Sequence, residues 1–209
     1  MVSPRSSSGK SAGPTNIVGY TLSIPDNGRH MFMHKSERKR CSACSYPLKF
    51  LSYNPKFKSS SRIVDRHDGY ITSKPDISST YDLFYIASGR FRDFCLNEGY
   101  DGLIFDKFND DPNYFNLRVR RRVKFDARRR RTTFDKYCRV CKNYESVVGA
   151  TPSYLLRSSP LSDNFYRTDL IFGSEGRRSP LILVGPETKT KLQLAKLKGL
   201  TFQPAYGIE

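Results

Sequence analysis

Two C-x-x-C pairs, Cys41-Ser-Ala-Cys44 and Cys138-Arg-Val-Cys141, constrain this 209-residue chain more than any other feature. A C-x-x-C turn brings two sulfur atoms to one side of a tight loop. Two such turns together make a tetrahedral four-thiolate site, the set that zinc takes as a structural ion. The pairs are separated by 93 residues, against about 15–20 in a one-piece zinc module. Tertiary structure must therefore bring them together. Independent reduced cysteines and thiol–disulfide exchange stay open as alternatives. Exchange needs only one pair, opening a helix after a strand, and neither pair follows a strong strand run. The fifth thiol, Cys95, lies in Arg90-Phe-Arg-Asp-Phe-Cys-Leu-Asn, an expected helix, and reads as a small buried hydrophobe. An odd cysteine total argues against a disulfide framework. The first 20 residues hold no apolar stretch of the about 7–15 residues a secretory signal needs. A cytoplasmic location is expected.

The pairs carry a second message. Cys41 and Cys138 are 97 positions apart, as are Cys44 and Cys141. The same offset aligns Tyr85–Phe105 with Ile182–Phe202 without a gap. Each segment reads as a short apolar strand, a helix start, an amphipathic helix and then Gly-Leu-x-Phe opening another strand. Ser88 or Gly185 can cap the helix, and Pro186 suits its first turn. Phe91, Phe94, Cys95 and Leu192, Leu194, Leu197 supply the apolar faces, and Gly102 and Gly199 suit a positive-φ turn after each helix. Ile17–Ile24 reads as a first strand, ended by Pro25-Asp-Asn-Gly. Residues 1–15, rich in Ser, Gly and Pro, read as a disordered tail. Residues 52–80 read as a long loop with short strands. The expected fold class is α+β: two pseudo-repeated strand–helix–strand halves, 16–112 and 113–209, joined by a four-cysteine zinc site. Its ligands would be Cys41, Cys44, Cys138 and Cys141.

The formal net charge is +16, from 36 Lys+Arg against 20 Asp+Glu. Such an excess points to an anionic partner. Its densest stretch is Arg118, Arg120, Arg121, Arg122, Lys124 and Arg128, Arg129, Arg130, Arg131: nine cations among which Asp126 is the single acid. Arg forks bind phosphates or carboxylates in pairs of bonds, and interleaved aromatics can stack on bases. Leu117, Val119, Val123 and Phe125 suggest a basic hairpin leading into the second cysteine pair. Nucleic acid, an acidic protein surface and a solvated basic face are the three readings of this segment. Aromatic content of 13% argues against wholesale disorder. No apolar run approaches the roughly 20 residues of a membrane helix.

The catalytic inventory is thin. His30 and His34 lack the intervening acid of H-E-x-x-H, His67 sits in the polar turn Asp65-Arg-His-Asp-Gly, and Gly9-Lys-Ser lacks the rest of a phosphate loop. No G-x-S-x-G or dinucleotide fingerprint occurs. With four cysteines on a metal, a non-enzyme is expected.

The doubled cysteine pair and the unit Leu183-Val-Gly-Pro-Glu through Gly199-Leu-Thr-Phe-Gln-Pro204 resemble bacterial immunity proteins of polymorphic-toxin systems, in particular the group with a doubled C-x-x-C-G motif. The resemblance covers about residues 41–205. Ser45 and Lys142 stand where the motif glycine would follow the second Cys, and Lys107 stands where the second unit has Pro204. The resemblance implies a protein that binds a cognate toxin and occludes its active face. The competing function is a basic, zinc-containing nucleic-acid-binding protein acting through 118–131.

Overall fold

The computed structural model describes residues 16–28, 41–44, 75–81, 83–108, 112–174 and 177–208. Short runs of apolar and β-branched residues make most of its elements. β1 (Ile17–Ser23), the expected first strand, and β5 (Tyr114–Val119) are the longest of the buried strands. Each is flanked by two parallel strands to which it runs antiparallel. β5 lies between β3 (Tyr85–Ser88) and β4 (Leu103–Lys107), with β2 (Ile77–Ser79) outside β3. β1 lies between β13 (Ile182–Val184) and β14 (Thr201–Tyr206). The latter sheet is extended by β10 (Phe165–Thr168) and β6 (Arg122–Val123) on one side and β9 (Ser153–Tyr154) on the other. A third sheet has the order β12 (Arg177–Ser179), β11 (Phe172–Ser174), β8 (Asn143–Val148), β7 (Thr133–Cys138).

The α+β expectation is therefore corrected. Fourteen strands in three sheets stand against three short helices among the described residues. The helices are α1 (Gly89–Asn97), α2 (Ala127–Arg130) and α3 (Pro186–Leu194). Strand–helix–strand segments do occur at 85–107 and 182–206, but they do not set the architecture. Each needs a strand from outside the unit between its own two strands: β5, the next strand along the chain, in the first, and β1, from the far end of the chain, in the second. The other strands are largely two to four residues long, too short to show a period in the sequence. The expected basic hairpin is not formed either: β5 pairs with β3 and β4, and β6 pairs in parallel with β10.

Local signals at the helix ends are clear. Ser88 caps α1, its Oγ accepting from the Phe91 N–H at 3.2 Å. Gly185 caps α3 without a side-chain bond, and Pro186 opens it. Gly199 has φ +85°, and a Cβ there would sit 2.4 Å from the Ile77 carbonyl oxygen, so glycine is required. In the first unit the left-handed turn falls on Gly99 (φ +72°) and not on Gly102.

One core cluster lies between the two helix-bearing sheets. Phe91, Cys95, Leu117, Phe165, Ile182, Val184 and Leu192 are all buried in it. Phe91 meets Phe165 edge-on at 5.9 Å, and Tyr100 meets Phe165 at 5.2 Å, a favoured arrangement for aromatic pairs. Leu194, expected on the apolar face of its helix, is instead exposed. A polar staple flanks this core. The Asp163 carboxylate accepts from Tyr100 Oη (3.0 Å), Thr188 Oγ1 (2.7 Å) and Lys191 Nζ (2.6 Å). Lys191 also reaches Glu98 at 3.0 Å, so α3 is tied to the residue that follows α1. Among the described residues no helix is long and apolar enough to cross a membrane.

Candidate metal centre

Strands β7 and β8 form an antiparallel hairpin in which Cys138 faces Asn143 across the strands. The second cysteine pair is the tip of that hairpin. The backbone N–H of Cys141 bonds Cys138 Sγ, and with lesser bonds from the Cys44 thiol and the Val140 N–H it outweighs burial and brings the Cys138 thiol down to about 7. A thiol so held is ready to ligate as thiolate. Burial pushes the Cys141 thiol up. Asn143 Nδ2 donates to the Cys141 carbonyl and closes the turn. Lys142 carries the left-handed residue of this tip, with φ +55°. Glycine adopts that conformation without strain.

The first pair, Cys41 to Cys44, forms a turn that sits on this tip. Cys41 is buried, and Phe84 packs beside the sulfur cluster. Cys41 Sγ lies 3.9 Å from Cys138 Sγ, and Cys44 Sγ lies 3.6 Å from Cys141 Sγ. All four sulfur atoms lie within 4.8 Å of one another. A tetrahedral zinc with Zn–S of about 2.3 Å would set neighbouring sulfurs about 3.8 Å apart. The four cysteines, 97 positions apart in matching pairs, are therefore placed to hold a metal ion. Cys95 is not among them. It is fully buried in α1, and burial raises its thiol far above the ordinary range, with Glu98 adding to the rise.

Four of the nine cations of 118–131 are engaged by other parts of the fold. Arg118 makes a two-pronged bond to Asp106, Nε to Oδ2 at 2.7 Å and Nη2 to Oδ1 at 2.9 Å. Arg121 pairs with Asp101 at 2.7 Å. Arg129 donates to the Gly207 carbonyl at 2.6 Å and lies over the Tyr154 ring at 4.7 Å. Arg130 donates to the Thr151 carbonyl at 2.6 Å. These four tie segments of the fold together. Arg120, Arg122, Lys124, Arg128 and Arg131 are exposed. His30, His34, His67 and Gly9-Lys-Ser lie outside the described residues.

Sequence reasoning missed the surface beside the metal centre. Phe134, Tyr137, Val140, Tyr144 and Val148, all on the β7–β8 hairpin, are exposed. Phe134 and Tyr137 both contact Tyr144, with ring centroids 5.0 and 5.1 Å apart. The available signal was the aromatic content of the segment between Arg131 and Cys141. Sequence alone does not distinguish such residues from a core strand. No family model matches the chain, and no curated protein aligns with it.

Proposed function

We propose that this protein is a zinc-stapled binding protein without catalytic chemistry of its own, acting as an immunity protein that captures a toxin. The observation that carries the reading is the cluster of four cysteine sulfurs at the hairpin tip. Four thiolates fill a tetrahedral set and leave no position for water or substrate, which is the pattern of a structural rather than a catalytic zinc. The doubled cysteine motif and the unit ending Gly199-Leu-Thr-Phe are the features on which the immunity resemblance rests. All five cysteines are free thiols, which suits a reducing, cytoplasmic setting. The charge of +16 fits a partner with an acidic face.

The test is copurification with the product of the neighbouring gene, with and without nuclease, followed by metal analysis. The expected result is one zinc per chain and a one-to-one protein complex that nuclease leaves intact. A chain that carries no zinc, or a complex that dissolves on nuclease treatment, rejects the reading.

A second reading, nucleic-acid binding, is favoured by the exposure of Arg120, Arg122, Lys124, Arg128 and Arg131. It predicts steeply salt-dependent binding of mixed RNA or DNA, lost when Arg120, Arg122, Arg128 and Arg131 are changed to Ala.

A further inference from the structure

Isolated apolar side chains are common on protein surfaces, but a concentration of them on one element marks an interaction site. Here the concentration is on β7–β8. Tyr137 is 52% exposed, Val140 66% and Val148 58%. β7 is the outer strand of its sheet, with no further strand beyond it among the described residues, and only its last residue, Cys138, is even partly buried. The rings do not lie open like stacking platforms. Tyr144 is tilted 53° to Phe134 and 57° to Tyr137, so the three support one another as a ridge. Rigid aromatic anchors with arginine nearby are the composition of interface hot spots.

The ridge is also held from below and at its end. Arg178, buried in β12, donates to the Tyr144 carbonyl. The cysteine cluster fixes the tip that carries Arg139 and Val140. The hairpin itself carries Lys136, Arg139 and Lys142, and Arg131 stands just before it in the chain, all exposed. The acids of the hairpin are Asp135 and Glu145, and Glu145 is already paired with Lys136 at 3.3 Å. This basic rim fits an acidic occupant. It also opposes a second copy of the chain, which would bring another +16 to the same face.

We infer that the β7–β8 hairpin is the docking surface for an acidic protein partner, with Tyr137 and Tyr144 as anchors and the metal centre as the clamp that keeps them in place. The inference rests on the binding-protein reading and names where the partner sits. It predicts that binding needs the metal although the metal touches nothing but cysteine.

The experiment uses the full zinc-loaded chain in its native host. Tyr137 is replaced by photoreactive p-benzoylphenylalanine, and in a second chain Leu194, 76% exposed on α3, is replaced in the same way. The expected result is a nuclease-resistant adduct with one acidic protein from position 137 and none from 194. The purified partner then binds the wild-type chain, and Tyr137→Ala with Tyr144→Ala weakens binding about 30-fold or more, the scale of hot-spot residues. Zinc content of the double variant must equal wild type, so that loss of the clamp is not mistaken for loss of the anchors. A nucleic-acid adduct at 137, a double variant that binds normally, or adducts at 194 alone overturns the surface. Adducts at 194 alone would leave the binding-protein reading standing, whereas a protein with no protein partner at either position would overturn both.

Discussion

The core around Phe91 and the hairpin β7–β8 are held by opposite means. Phe91, Phe165 and Cys95 show no exposure at all, and their neighbours come from both helix-bearing sheets. In the hairpin, Val147 is the single buried residue. Burying a large apolar side chain contributes roughly 1.5–3 kcal/mol, so the core can hold itself. The hairpin has almost nothing to bury, and it needs another source of order. Four cysteines placed at its tip to hold a metal ion can supply one. The contrast separates what folds the chain from what would present the proposed docking surface.

The largest effect expected of any single change is therefore loss of the metal. Structural zinc contributes on the order of 10 kcal/mol. Chelation, or Cys138→Ser, should remove hydrogen-exchange protection from residues 133–148 while the amides around Phe91 and Leu117 keep most of theirs. Equal loss of protection in both regions would break the comparison, because it would make the cluster part of the core. Unchanged protection in the hairpin would break it from the other side. The converse change is Phe91→Ala. Removing a buried Phe costs about 3–5 kcal/mol, read as a lower denaturant midpoint. Zinc content of the folded variant should stay as in wild type.

Parts of this arrangement were legible in the sequence because their signals are local. The C-x-x-C pairs announce ligands whatever the fold. Ser88 and Gly185-Pro186 mark helix starts because the first turn of a helix needs caps. The long-range placement of β1 between β13 and β14 was not legible. No local signal says that Ile17–Ser23 will pair with Ile182–Val184 and Thr201–Tyr206 rather than with its sequence neighbours. Three-residue strands such as Ile77–Ser79 carry no measurable period. The pairings within the arginine run were not legible for a related reason: charge density in sequence does not reveal that Asp106, Asp101 and two carbonyl groups will hold Arg118, Arg121, Arg129 and Arg130.

A smaller effect tests the polar staple beside the core. Burial raises the Asp163 carboxyl, but bonds from Lys191, Thr188 and Tyr100 outweigh it and hold the group below the usual carboxylate value. A depressed carboxylate contributes stability that is present above its unfolded value, about 3.9, and is lost as pH falls through the lower folded value. Asp163→Asn should cost about 1–3 kcal/mol near neutrality. The difference from wild type should begin to shrink below about pH 4, where the carboxyl of the unfolded chain takes up its proton, and should be gone only below the lower folded value. Thiol protonation releases metal from both proteins alike, so the difference between two acid titrations isolates the staple. A gap that stays constant down to pH 2 would show that the bonds to Asp163 are not what the substitution removed.

The smallest predicted effect has the opposite sign. Lys142 holds φ +55° at the metal tip, a conformation that costs a non-glycine residue roughly 1–2 kcal/mol. Glycine removes that strain, but it is more flexible in the unfolded chain, and the two terms partly offset each other. Lys142→Gly should therefore stabilise the zinc-loaded protein by up to about 1 kcal/mol. The gain should appear in the hairpin amides and leave the core amides unchanged. The same variant removes one cation of the proposed rim, so tighter folding should come with slightly weaker capture of an acidic partner. Such a split would explain why a lysine is useful at a position where glycine fits the backbone better. Weaker folding in Lys142→Gly would mean that the lysine side chain, not the turn geometry, holds the tip together.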